Sequence, residues 1–214
     1  MESFMKLNSL TLTSSIGLLA FASLHAQEFQ RFSFDVGGGF DTPVGNTGRE
    51  LNTGWNVRGG AGVNINPYFG VMLDAGYDSF GINAATLNAV GVPGGDLHVF
   101  HATIDPIVHL NPKGHIDFYV TGGAGLFHRY QEFTQPTLAY STGFNPFYGF
   151  FPVAYPANQI LASYSVNKPG TDIGAGVAFG SKWHGRFFAE ARYDRIYMRN
   201  SHTDYLPVSF GFRW

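Results

Sequence analysis

The residues best equipped for chemistry in this chain recur at every second position of glycine-rich segments. Arg31 and Asp35 share one such row. Arg58, Asp74, Asp105, Asp117, Arg129, Asp172, Glu190, Arg192, Asp194 and Arg213 occupy similar rows further along. Residues two apart in an extended strand project to the same side, so each row delivers its charges to one face. Opposite charges gathered there have two uses. They pair into a salt-bridge and hydrogen-bond network, since an unpaired buried charge is costly, or they line a small ion pathway.

Other reactive side chains are less organised. His98 and His101 fall on opposite faces of a strand, and His109, His115, His184 and His202 lie near turns without ligand spacing. No metal site and no cofactor is expected from them. Ser201, His202 and Asp204 supply the residue types of nucleophilic catalysis, as a lipid-modifying enzyme would need. Neighbours on one loop rarely converge as a triad, so a catalytic role is not expected.

The segment from Gln131 to Gly170 has the most unusual composition and reads as the longest irregular stretch. It carries Tyr140, Phe144, Phe147, Tyr148, Phe150, Phe151 and Tyr155. Exposed aromatics are a liability unless they meet a partner or cover one another. One reading is a binding surface for an extracellular ligand. The other is a self-packed cap, or an extension of the two flanking strands.

Composition bounds the class of protein. Of 214 residues only 13% are charged, against about 25% in soluble domains. Mean hydropathy of -0.03 is too low for a helical membrane protein, and a net charge of -2 offers no pull on nucleic acid. Cysteine is absent, which excludes a disulfide scaffold, thiolate metal sites and a lipoprotein anchor. Lys6, the apolar run from Leu10 to Leu24 and the small Ala26 form a secretory signal pattern. The expected domains are therefore a signal peptide over 1–26 and a single exported domain over 27–214. No later apolar run is long enough for a spanning helix, so any membrane crossing must use strands.

The elements that position the charges are strands. Phe32, Phe34, Val36 and Phe40 alternate with Arg31, Ser33, Asp35 and Gly39, and the same period of two recurs through the chain. Eight such segments are expected, over 31–40, 55–65, 69–78, 100–110, 117–130, 172–180, 186–194 and 205–214. Connections two, four and six are short; one, three, five and seven are long. An even antiparallel meander with short turns at one end and long loops at the other is the outer-membrane barrel pattern, and closure removes free sheet edges. Rows of Phe, Val, Leu and Ala suit lipid, whereas the glycine- and charge-bearing rows suit a lumen that side chains roughly fill. Trp55, Tyr77, Tyr130, Tyr193 and Trp214 fit interfacial girdles.

In the last strand Leu206, Val208, Phe210, Phe212 and Trp214 alternate with Pro207, Ser209, Gly211 and Arg213. With the eight-strand meander and the signal pattern, this ending resembles the small outer-membrane barrels of the outer membrane protein A and X superfamily. That resemblance implies a cell outer membrane location, lipid as surroundings, and recognition of Val208, Phe210, Phe212 and Trp214 by the barrel-assembly machinery. It also implies an all-β transmembrane barrel serving envelope structure, adhesion or ligand contact through its loops. A narrow channel for small or apolar solutes is the alternative.

Overall fold

The computed structural model describes residues 30–181 and 185–214; the expected signal peptide lies outside them. Eight antiparallel strands, each hydrogen-bonded to the next and the last to the first, form a closed barrel. They are β1 (Phe32–Pro43), β2 (Gly54–Asn64), β3 (Phe69–Gly81), β4 (Gly94–His109), β5 (Ile116–Asn145), β6 (Gly149–Ser181), β7 (Gly185–Tyr197) and β8 (His202–Arg213).

Closure follows from the two terminal strands. β1 pairs with β8 from Asp35↔Arg213 to Pro43↔Tyr205, and the Phe34 and Trp214 backbones exchange hydrogen bonds of 2.8 and 2.9 Å. Trp214 stacks on Phe34 at 6.3 Å, so the final residue covers the seam. Alternation decides the faces: Phe32, Val36, Phe40, Leu73, Ile104 and Phe210 are exposed on the outside, whereas Ser33, Asp35, Asp74, Asp105 and Ser209 are buried inside.

Two short helices shape one end. α1 (Thr47–Glu50) lies between β1 and β2, and α2 (Ala84–Val90) between β3 and β4. The latter starts where the Asn83 side chain accepts a hydrogen bond of 2.7 Å from the Ala85 N–H. It stops at Gly91, whose φ of 71° is left-handed backbone that glycine adopts without strain.

The segment 131–170 is not irregular. It is the outer half of an extended hairpin in which β5 runs for 30 residues and β6 for 33. β4 lies beside β5 only as far as Thr134, and β7 beside β6 only from Gly170. Beyond those points a two-stranded ribbon continues from Gln135↔Gln159 to Asn145↔Gly149. Eleven paired positions at ~3.3 Å each carry it ~35 Å past the sheet. The seventh connection is also shorter than expected, because β7 and β8 continue to Tyr197 and His202, which pair with each other.

Candidate functional site

Two surfaces are candidates: the lumen and the hairpin. The lumen is built from the inward rows. Arg192 on β7 is its centre, reaching Asp105 on β4 at 2.5 Å, Asp172 on β6 at 3.2 Å, Asp74 on β3 at 3.8 Å, and its near neighbour Glu190. Arg58 on β2 bridges Asp74 at 2.7 Å and Glu190 at 2.8 Å. Arg213 binds Asp35 at 2.9 Å across the β1–β8 seam, and its guanidinium lies 4.6 Å from the Tyr119 ring centroid. Seven of the eight strands, all but β5, thereby contribute to buried charge-assisted bonds across the barrel.

Most of the charges singled out in the sequence meet in this network, with four departures. Arg31 is exposed just before β1 and takes no part in the ion pairs of the described residues. A parity argument needs the strand to have begun, and it begins at Phe32. Among the described residues Arg129 bonds Gln131 alone, at 3.2 Å. Asp117 belongs to a separate group at the short-turn end, with His109 at 2.6 Å and Arg186 at 3.1 Å. Arg186 also donates to the Pro112 and Gly114 carbonyls, so this group pins the β4–β5 turn. Asp194 faces inward beside a cavity of about one water molecule, lined also by Asp78, His101, Asp172 and Arg192.

Several inward residues were not legible as members. His101 pairs with Asp78 at 3.1 Å, and Tyr205 donates to the same carboxylate at 3.0 Å. Asn56 donates to Asp41 at 2.6 Å and accepts from Ser209 at 2.9 Å. Above the charges, towards the hairpin end, sits an apolar layer of Leu51, Phe80, Ile82, Leu97, Val99, Phe127, Ile196 and Tyr205. Below them, Met72, Ile107, Tyr119, Ala178 and Phe188 form a second. The charged belt is thus covered at the hairpin end by buried apolar side chains, whereas at the other end the Arg213–Asp35 pair runs through the second layer, with the Arg213 guanidinium against the Tyr119 and Phe188 rings. A clue existed in β4, where Leu97 and Val99 occupy the parity of His101 and Thr103.

Ser201 and His202 lie at the β7–β8 turn. His202 meets Asp204 at 3.2 Å, but Arg195 holds that carboxylate in two bonds, of 2.9 and 3.1 Å. Among the described residues the Ser201 hydroxyl has no bond to the imidazole, and no cluster of three metal-binding side chains occurs.

The ribbon carries the aromatic candidates. Phe144 and Phe150 pair across the strands with ring centroids 5.1 Å apart, on the same face as Tyr140. Phe151 and Tyr155 lie on the other face. Phe147 and Tyr148 form the tip and are 90% and 86% exposed. Tyr140 and Phe150, at 72% and 76%, are barely more covered. These side chains do not fold over the barrel mouth. At the opposite pole, Val208, Phe210, Phe212 and Trp214 share the outer face of the closing strand.

Comparison with known proteins follows this geometry. A family model described as outer membrane protein beta-barrel domain matches residues 14–213. The fold is similar to that of Neisserial surface protein A, with a TM-score of 0.54 and 16% identity, covering 85% of this chain and 95% of that one. It is also similar to a major outer membrane protein of Thermus thermophilus, with a TM-score of 0.55 and 11% identity, covering 86% and 97%. No curated protein sequence matches the chain.

Proposed function

The chain belongs to the outer membrane protein beta-barrel family and its place is the outer membrane, and from that premise we propose that it is a non-enzymatic surface-contact protein whose working part is the β5–β6 hairpin. The observation that carries this reading is the ribbon itself: two strands continue ~35 Å beyond their neighbours and hold large aromatics in the open. A barrel needs strands of only about 9–11 residues to cross a bilayer, so the extra length serves something outside it. The apolar layer at the hairpin end of the lumen supports the same reading, because a narrow channel would need a continuous polar path there. Residues 1–26 deliver the domain as a cleaved signal, and the Val208–Trp214 face is the element recognised by the assembly machinery.

Adherence tests the proposal. Cells displaying the full chain are expected to adhere to hydrophobic polystyrene more than cells displaying a variant in which residues 135–159 are replaced by a two-residue turn. Equal adherence at equal surface levels would overturn the reading. The shortened protein should keep its stability, since among the described residues the ribbon shares no ion pair with the lumen network; its unfolding midpoint in urea is expected to match that of the full chain.

A further inference from the structure

We propose that the hairpin tip inserts into the interface of an apposed lipid bilayer. This rests on the contact role above and names the partner. Three features of the ribbon select it. From Phe133 to Asn167 the chain has no charged residue and no histidine, so polyanions and charged protein surfaces find nothing to pair with.

Strand addition is obstructed as well. Pro136↔Asn158, Leu138↔Pro156 and Thr142↔Pro152 are pairs of one parity. A proline in the other parity would break a ladder bond, so these three remove N–H groups from the ribbon's outer edges. An incoming strand would lose a bond at each.

The composition is also graded along the ribbon. Gln135, Thr137, Asn158 and Gln159 stand at its base beside the exposed aliphatic Leu138 and Ile160, whereas the phenylalanines Phe144, Phe147, Phe150 and Phe151 and Tyr148 crowd the far end. A second copy packing side by side would not need the phenylalanines gathered at the tip. A layer met end-on favours them at the tip. Phe and Tyr, apolar with a polar handle on Tyr, are suited to the zone between headgroup and acyl chain.

The test uses the full chain in nanodiscs, mixed with phosphatidylcholine vesicles and separated by flotation. The protein is expected to float with the vesicles, and as readily in high salt as in low, because no charge is involved. The double variant Phe147→Asp, Tyr148→Asp is expected to lower binding roughly tenfold or more, since it removes two buried aromatics from the bilayer. Its gel migration with and without boiling, unchanged from the parent, establishes that the barrel is intact. Absence of flotation by the parent protein, or equal flotation by the double variant, overturns the proposal. Absence of flotation together with hairpin-dependent adherence overturns the lipid partner alone. Loss of both overturns the contact role too.

Discussion

Replacing Arg192 with methionine is expected to destabilise the barrel by about 3–5 kcal/mol, the range for removing one partner of a buried ion pair. Methionine fills most of the same space, so the effect isolates charge from packing. Asp74, Asp105, Asp172 and Glu190 would lose their shared partner, with Arg58 left to serve only Asp74 and Glu190. Asp105 and Asp172 would then have no cation within bonding distance among the described residues. Urea unfolding in lipid vesicles, followed by the difference in gel migration between boiled and unboiled samples, reads the change directly. Arg192→Lys should fall between the two, because one ammonium cannot span carboxylates that the planar guanidinium reaches in several directions. A methionine variant as stable as the parent would mean that the network is incidental to the fold.

Gly39→Val carries the second large effect. A Cβ at Gly39 would stand 1.9 Å from the Val208 carbonyl oxygen and 3.0 Å from the Ser209 Cα, both backbone atoms of β8. No rotamer relieves a clash with backbone, so β8 must move away from β1 at the seam that closes the barrel. Ordinary overpacking costs about 1–3 kcal/mol, and a displaced closing strand costs more. The folded, unboiled band is expected to be largely lost. Gly59→Ala is the control: its Cβ would meet only the Asp35 carbonyl oxygen at 3.5 Å, ordinary contact, and the variant should fold normally.

The strands and their faces were legible because lipid outside and a crowded lumen inside impose opposite chemistry on alternate residues. Asp35, Arg58, Asp74 and Arg213 could therefore be placed inward without any coordinates, and β8 could be paired with β1. The same rule hid the ribbon. Both its faces are exposed and neither touches lipid or lumen, so Leu138, Ala139, Tyr140 and Ser141 show no contrast between alternate positions, and Pro136, Pro152 and Pro156 look like loop breakers. Only the register, with prolines at edge positions, reveals strands there.

The apolar layers were hidden for a related reason. Phe80, Leu97, Val99 and Phe127 take the inward parity near one rim, where an apolar side chain is read by default as lipid-facing. The α2 helix has a capping signature in Asn83 and Gly91, which a segment rich in Gly, Asn and Ala obscures. Partners such as His101 with Asp78 depend on distances between strands that spacing along the chain does not encode.

The sealed lumen is the claim most open to direct measurement, since it moves the protein's work from the inside of the barrel to the hairpin. Single-channel recording of the full chain in a planar bilayer decides it. With the charged belt capped at the hairpin end by the Phe80–Phe127 layer and its groups held in ion pairs across the lumen, the current is expected to stay at baseline at every applied voltage. Discrete, reproducible conductance steps from protein confirmed as folded by its gel migration would contradict it.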